Sequence, residues 1–312
     1  MGVVTQPDRP AGRGHKLAAT PVKRAAEARG LRVLTPHKLR PFADEARALG
    51  ADAFVVASYG KIVPQALLDL VPVAFNVHPS LLPLYRGATP LQSAIRDGRE
   101  ETGVTIIAMD AGMDTGDVLL QERTPIGPAE TYGELHDRLA ARGAEMAVEA
   151  LDRFANGTLE RKPQSDVARE LGIGDDEIAR TLTRPLRKGD LEIDWHRRPK
   201  ETVALVRSLA PAPLARTVYD DEPIKIVAAR AVSLAELEAE MVHGSVWNHV
   251  GLTVSGWPGH ELLYSVNDAE HPDGAVIVDR LIAPNRGPIS GPAYVRRILA
   301  QTRVRMESGH YP

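Results

Sequence analysis

Two polar side chains at the end of an apolar run have the residue types and spacing that best suit catalysis. The run VPVAFNV, residues 71–77, is strand-like, and it carries Asn76 with His78 directly after it. Side chains two apart on a strand point to the same face. An Asn amide is a neutral donor and a His ring can shuttle a proton, which together suit a carbonyl that becomes an oxyanion under nucleophilic attack. Taken alone, the pair is equally consistent with polar side chains that close a strand.

The stretch MDAGMDTGDVLLQE, residues 109–122, supplies carboxylates that such a pair could use. Asp110, Asp114 and Asp117 follow a strand-like run, and the glycines between them allow a tight loop. One carboxylate could hydrogen-bond the ring of His78, raise its pKa and fix its orientation. The spacing departs from the EF-hand pattern, which needs a closing Glu, and a plain acidic turn is the alternative.

Up to about residue 160, short apolar runs alternate with helical patterns. Thr131 and Glu134 form a capping box for a helix over residues 131–155, and Gly157 can end it. Strands that alternate with helices predict an α/β fold with a mostly parallel sheet covered on both faces. Open sheets of this kind bind ligands at the carboxyl ends of their strands. The predicted strands are 52–58, 73–77, 104–109 and 118–121.

The second half of the chain has a different pattern. Residues 160–200 are charged and weakly periodic, which indicates a linker, and the short apolar runs after them predict a small β-barrel or sandwich. The resulting division is a catalytic domain over residues 1–165, a linker over 166–200 and a β-domain over 201–312.

Composition narrows the class of protein. The chain has 312 residues, 43% hydrophobic and 25% charged, as in ordinary globular proteins. It has no cysteine, which excludes disulfides, thiolate zinc sites and cysteine nucleophiles and fits a reducing cytoplasm. No apolar run reaches the ~20 residues of a membrane helix, and no signal peptide is evident, so we expect no membrane contact.

Basic residues are concentrated at the start of the chain. Residues 1–40 hold nine Lys and Arg against two acidic residues, although the whole chain has a net charge of -3. A basic segment on an acidic protein indicates a local contact with a polyanion. A solvated face without a partner is the alternative.

Two longer motifs carry a resemblance to a known family. The stretches NVHPSLLPLYRGATP and ETGVTIIAMDAGMDTGDVLLQ resemble the folate-dependent formyltransferases. The basic stretch VVTQPDRPAGRGHKLAATPVK resembles only the branch whose formyl acceptor is methionyl initiator tRNA. The resemblance implies a Rossmann-like catalytic domain and an OB-like β-barrel that holds tRNA. It also implies a cytoplasmic, monomeric enzyme of translation initiation.

The resemblance assigns roles to individual residues. It implies that Asn76, His78 and Asp114 are catalytic and that 10-formyltetrahydrofolate donates the formyl group without a metal. The stretch ASYGKIVP, residues 57–64, matches the segment that reads the folate. The residues implied to bind folate are Lys61, Ile62, Val63, Ser80, Leu81, Leu82 and Pro83. Those implied to bind tRNA are Arg9, Arg13 and Lys16.

The largest departure from the family lies at the start. The family begins with a strand, a Gly-Thr-Pro turn and a helix before the equivalent of VVTQPD, whereas this chain begins at that second strand. We expect a misassigned start site and a longer natural chain. Loss of a central strand would remove hydrogen bonds whose summed free energy is comparable with the whole free energy of unfolding of a domain. The alternatives to the main function are a sugar-amine formyltransferase and an inactive remnant that binds tRNA or folate.

Overall fold

The computed structural model of the chain describes residues 1–11, 16–241, 252–257, 260–266 and 274–307. The chain divides into two compact units, each built from separate stretches. The first, here called the α/β unit, comprises Met1–Gly87, Gly103–Arg123 and Leu139–Leu182. The second, here called the β-rich unit, comprises Ala88–Thr102, Thr124–Arg138 and Thr183–Pro312.

Strands and helices largely alternate up to about residue 160, as the apolar periodicity predicts, and two further helices follow before residue 182. The strands are β1 (Gly2–Val4), β2 (Arg9–Ala11), β3 (Lys16–Ala18), β4 (Arg32–Leu34), β5 (Ala53–Ala57), β6 (Val73–His78), β7 (Glu101–Ala108) and β8 (Val118–Pro125). The helices are α1 (Pro21–Glu27), α2 (Ala43–Arg47), α3 (Gln65–Leu68), α4 (Pro90–Arg96), α5 (Tyr132–Ala155), α6 (Gln164–Leu171) and α7 (Asp175–Arg180).

The main sheet of the α/β unit has mixed strand directions. Its order is β5-β6-β7-β8, with β5 parallel to β6 and β6 antiparallel to β7. Two smaller pairs accompany it, a parallel pair of β1 with β4 and an antiparallel hairpin of β2 with β3. The α/β class is therefore confirmed, but the sheet is less parallel than predicted, since alternating periodicity does not specify the direction in which β7 returns.

Packing on both faces fixes β6 and β7, the strands that hold the candidate site. Apart from the half-buried Val77, their apolar side chains are buried, with Phe75 and Ile106 fully so, as expected for strands covered on both sides. Helix α5 lies so close that a Cβ on Gly143 would come within 2.8 Å of the Val77 side chain. The predicted capping box is confirmed at the start of α5, where the backbone N–H of Thr131 donates to the Glu134 carboxylate over 2.9 Å.

The segment predicted as a linker is partly helical. Helices α6 and α7 and a 3-10 turn at Lys188–Leu191 lie within or overlap residues 166–200. Gly172, with a φ of 66°, ends α6 in the left-handed conformation that favours glycine. The domain boundaries at residues 165 and 200 stay predictions.

The β-rich unit contains one antiparallel sheet with helices against it. Its strands are β9 (Ala215–Tyr219), β10 (Glu222–Val232), β11 (Thr253–Trp257), β12 (His260–Val266), β13 (Ala275–Ile282) and β14 (Pro288–Ser290). Its later helices are α8 (Pro199–Leu209), α9 (Leu234–Glu240) and α10 (Gly291–Glu307). The order is β11-β12-β13-β10-β9, with β14 also on β13, around a core that includes Val206, Ile226 and Val278.

The predicted class of the second half is confirmed as an antiparallel β-domain. Within the described residues the strand order stays open, with β11 and β9 at its ends, so no pairing closes a barrel there. Over the same part of the chain, every helix is too short or too polar to span a bilayer.

Candidate active site

Strand β6 delivers Asn76 and His78 to the same end of the sheet, as their spacing predicts. Asn76 lies opposite Ile107 of β7, and His78 lies opposite Thr105. The side chain of His78 is buried, with 3% of the residue exposed, whereas Asn76 is half-buried. The strand therefore presents an accessible amide beside a desolvated imidazole.

The structure brings Asp114 to both of these side chains. The Asn76 amide Nδ2 donates to Asp114 Oδ1 over 3.2 Å, and the backbone N–H of Gly87 donates to Asp114 Oδ2 over 2.9 Å. The same Oδ2 lies 3.6 Å from Nδ1 of His78. That last distance is too long for a hydrogen bond, so Asp114 acts on the ring through its charge.

The second nitrogen of the His78 ring has a defined partner. Nε2 lies 3.0 Å from the carbonyl oxygen of Tyr85. Since a carbonyl only accepts hydrogen bonds, Nε2 must carry a proton. In the neutral ring the lone pair then resides on Nδ1, the nitrogen that faces Asp114.

Burial sets the protonation of His78. It lowers the pKa of the ring below the usual 6.5, because the charged form loses its hydration. The charge of Asp114 and the hydrogen bond to Tyr85 raise the pKa, and the Arg86 guanidinium lowers it, but burial is the largest cause. The expectation that a carboxylate raises this pKa is right for the contribution of Asp114, but the pKa of His78 as a whole is lowered because burial outweighs that contribution.

Side chains of β7 and β8 anchor the loop that follows His78 by hydrogen bonds. Thr105 Oγ1 donates to the carbonyl of Ser80 over 2.6 Å, and Gln121 Nε2 donates to the carbonyl of Leu82 over 2.9 Å. The hydroxyl of Ser80 donates to the carbonyl of Leu84 over 2.7 Å. These bonds hold the loop, and with it the carbonyl of Tyr85, in one conformation.

Tight turns shape the loop that carries Asp114. Asp114 itself has a φ of 55°, and a Cβ on Gly116 would lie 1.7 Å from the carbonyl oxygen of Ala108. Asp110 accepts from the Thr115 hydroxyl over 2.8 Å and from the Gly112 N–H over 3.0 Å. Of the three carboxylates in the motif, Asp114 is the one that reaches His78, while Asp110 closes its own turn.

Sequence reasoning missed two residues of this region, Gln164 and Arg86. Gln164 donates from Nε2 to the carbonyls of Asp114 and Gly116, each over 2.8 Å, and its Oε1 accepts from Arg86 Nε and Nη2 over 3.0 and 2.7 Å. The signal for Gln164 was weak, because it is one polar residue after a proline at the start of α6.

The residues predicted to bind folate lie in two environments. Lys61 donates from Nζ to the carbonyl of His37 over 3.2 Å, and Ile62 is 85% exposed. Val63 packs beside a buried cluster that includes Phe42 and Leu67. In the second loop Ser80, Leu82 and Pro83 are buried and Leu81 is half-buried. The assignment of all seven to folate stays a prediction.

The two ends of the predicted tRNA loop lie in the paired strands β2 and β3. Arg9 lies in β2 and Lys16 in β3, with Ala11 opposite Lys16, while Arg13 lies outside the described residues. An ion pair between Lys23 Nζ and Asp8, 3.0 Å long, joins the segments on either side of the hairpin. Among the described residues, no group of His, Cys, Asp and Glu side chains could hold a metal ion.

Comparison with known proteins relates this geometry to a family. Residues 1–151 match the model of the formyl transferase family, and residues 185–264 match the model of the formyl transferase C-terminal domain. The methionyl-tRNA formyltransferase of Stutzerimonas stutzeri is 45% identical over 233 residues, which cover 74% of this chain and 71% of that protein. The methionyl-tRNA formyltransferase of Pseudomonas fluorescens is 42% identical over 248 residues, covering 78% and 75%.

A solved structure shares the fold. The N-formyltransferase from Helicobacter canadensis, crystallised with folinic acid and dTDP-3-aminofucose, superposes with a TM-score of 0.58. The match covers 88% of this chain and 86% of that chain at 17% sequence identity. At that identity the likeness concerns the fold alone.

Proposed function

This chain belongs to the methionyl-tRNA formyltransferase family, and from that premise we propose how its site transfers a formyl group. The donor is 10-formyltetrahydrofolate and the acceptor is the α-amine of methionyl initiator tRNA, so the product serves translation initiation. The observation that carries the proposal is the convergence of Asn76, His78 and Asp114 at the end of β6.

The neutral amine attacks the formyl carbon, and a tetrahedral intermediate with a negative oxygen forms. The Asn76 amide has two N–H donors, and Asp114 accepts from one of them. This contact orients the amide so that its other N–H can stabilise the developing oxyanion. The carbon–nitrogen bond to the folate then breaks, which leaves a formamide on methionine and tetrahydrofolate.

His78 moves the proton that this exchange of amines requires. Its lowered pKa keeps the ring neutral near pH 7, with a lone pair on Nδ1 and the proton on Nε2 directed to Tyr85. Nδ1 takes the proton that the attacking amine loses, directly or through a water, and returns it to the departing folate nitrogen. Asp114, 3.6 Å away, stabilises the transient imidazolium by its charge.

Two surfaces support the assigned substrates. The exposed apolar side chain of Ile62, in the segment matched to folate readers, offers an apolar contact to a flat ring system. The hairpin of β2 and β3 carries basic residues that can neutralise phosphates of tRNA. The identity to tRNA-directed relatives favours this acceptor over an amino sugar, which only the fold likeness supports.

A formyl-transfer assay with competing acceptors tests the function. The purified chain receives 10-formyltetrahydrofolate and either charged initiator tRNA or a dTDP-linked amino sugar. We expect formylmethionyl-tRNA to form, and we expect His78→Ala and Asn76→Ala to abolish most of the turnover. Transfer to the sugar alone would overturn the acceptor. Undiminished turnover in both variants would overturn the assigned catalytic roles.

A further inference from the structure

We propose that Gln164 is a positioning residue for formyl transfer, because its side-chain amide fixes the loop of Asp114 against the loop that holds His78. The inference rests on the proposed function of this site. It concerns a residue that lies at the start of α6, outside the motifs that carry the family resemblance. The hydrogen bonds of the Gln164 side chain go to Asp114, Gly116 and Arg86 rather than to His78, so its effect on the ring is indirect.

The Gln164 amide is buried, with 5% of the residue exposed, and both of its ends are engaged. Its nitrogen donates to the carbonyl oxygens of Asp114 and Gly116, each over 2.8 Å. Its oxygen accepts from two nitrogens of the Arg86 guanidinium, over 3.0 and 2.7 Å. One planar group therefore joins two loops of the α/β unit.

The network permits one orientation of this amide. A flipped amide would set its oxygen against two carbonyl oxygens and its N–H groups against the guanidinium donors. Both arrangements are repulsive in a buried place, so the observed orientation holds the plane of the amide in place. Such a group suits the preorganisation of a catalytic residue better than a flexible ion pair does.

The backbone conformation of Asp114 explains why it needs such support. It has a left-handed φ of 55°, a conformation that side-chain-bearing residues seldom adopt. Its carboxylate accepts from the N–H of Gly87, the residue after Arg86. Gln164 thus links the main chain of Asp114 to Arg86, whose neighbour Gly87 donates to the Asp114 carboxylate. This link maintains the distance of 3.6 Å between Asp114 Oδ2 and His78 Nδ1.

Two substitutions test the contacts at the two ends of the Gln164 amide separately. Gln164→Leu removes every contact, whereas Gln164→Glu keeps an oxygen for Arg86 but sets a second oxygen against the carbonyls of Asp114 and Gly116. If positioning acts through Asp114, both variants lower kcat by a similar factor of about 100, the order expected for a misplacement near 1 Å. The KM values for both substrates should stay within about twofold, because Gln164 is buried, with 5% of the residue exposed, and we expect neither substrate to contact it.

The pH at which His78 titrates is a measurement that should stay unchanged if Gln164 only stabilises the fold. The groups that act on its charge are Asp114, Arg86 and the Tyr85 carbonyl, and Asp114 outweighs Arg86. Asp110 acts in turn on Arg86. In Gln164→Leu the Asp114 carboxylate moves away, so the His78 ring should titrate at a lower pH than in the unchanged chain when followed by NMR.

Thr5→Val is the matched comparison. It removes another hydrogen bond of the α/β unit, the 2.8 Å bond between the hydroxyls of the buried Thr5 and of Thr20, and none of the contacts of Gln164. We expect a loss of stability, measured by thermal unfolding, without a shift in the titration of His78. This control separates the cost of losing a hydrogen bond of a buried side chain from the loss of Asp114 positioning.

Near-normal kcat in Gln164→Glu would overturn the inference, because the contact with Arg86 alone would then suffice. A lowered kcat in Gln164→Leu with His78 titrating as in the unchanged chain would also overturn it. Should the Leu variant fail to fold, the turnover of the Glu variant decides the question. If His78→Ala itself keeps full turnover, the proposed function fails first, and that outcome is distinct from failure of the role of Gln164 alone.

Discussion

Nδ1 of His78 lies 3.6 Å from Oδ2 of Asp114, while the Nε2 proton of the same ring is directed to the carbonyl of Tyr85. The two nitrogens therefore have separate tasks. Nε2 holds the ring in place, and in the proposed mechanism Nδ1 is the site at which a proton arrives and leaves. Because burial keeps the pKa of His78 below its usual value, the proposed mechanism starts with the neutral ring as a base.

The pH dependence of turnover should follow from that neutral ring. As the pH falls through the lowered pKa of His78, Nδ1 becomes protonated and kcat should fall in proportion to the neutral fraction. Above pH ~6.5 the profile should be flat with respect to this group. The measurement is kcat for formyl transfer with saturating substrates across pH. A kcat that declines as the pH rises above this range would show that the imidazolium is the working form.

Loss of the Asn76 amide should affect the transition state more than substrate binding. Asn76→Ala should lower kcat by about 10²–10³-fold, the cost of one oxyanion donor in other enzymes, with smaller changes in KM. Asn156→Ala is the matched control, since this exposed Asn follows the end of α5. Steady-state kinetics of both variants measure the effect, and equal kcat values in the two would remove Asn76 from the mechanism.

Stability should also depend on pH through His78. The unfolded ring binds a proton at a higher pH than the folded ring, because burial lowers the folded pKa. Its contribution to stability is therefore complete above pH ~6.5 and is lost as the pH falls below that value. The free energy of unfolding should decline with a slope that approaches about 1.4 kcal/mol per pH unit from this group. Urea titrations at several pH values should show a shallower decline in His78→Phe, and an identical slope in both chains would contradict the assignment.

Gly116 should tolerate no side chain. A Cβ there would lie 1.7 Å from the carbonyl oxygen of Ala108, so Gly116→Ala must displace the loop of Asp114. We expect a loss of about 1–3 kcal/mol in the free energy of unfolding, together with reduced turnover. Gly189→Ala is the control, since nothing lies within 4 Å of its Cβ position. Denaturant midpoints that agree for the two variants would refute the close approach.

The hairpin of β2 and β3 should contribute to tRNA affinity through charge. Replacing Arg9, Arg13 and Lys16 by Ala should weaken binding and reduce the log–log salt slope by roughly three units if each contacts a phosphate. Folate affinity should stay unchanged. The control triple, Arg153→Ala with Arg161→Ala and Arg169→Ala, makes the same change in net charge elsewhere. Equal salt slopes in the two triples would assign the effect to net charge rather than to the hairpin.

The convergence of the three candidate site residues was predictable because local geometry determines it. Asn76 and His78 share a face by the period of a strand, and Asp114 follows a buried strand in a glycine-containing loop. Their convergence across 38 residues of sequence follows from the general placement of sites at strand ends. These inferences need only periodicity and residue type.

Features that depend on tertiary packing could not be predicted from sequence. Gln164 lies 50 residues from Asp114 and binds its main chain, and a main-chain carbonyl leaves no pattern in residue types. The direction of the His78 pKa shift required its burial, which results from the packing of several segments. The direction of β7 against β6 was likewise undetermined, because alternating strands and helices are compatible with either.

Because the α/β unit is built from three separate stretches of the chain, the ribosome synthesises its parts at different times. Arg86 and Gln164 are 78 residues apart, so at ~5–20 residues per second the second is added about 4 to 16 s after the first. For that interval the nascent polypeptide carries His78, and then Asp114, without the amide that joins their loops. The rate of translation through this region therefore affects how long the unfinished candidate site is exposed to chaperones and proteases.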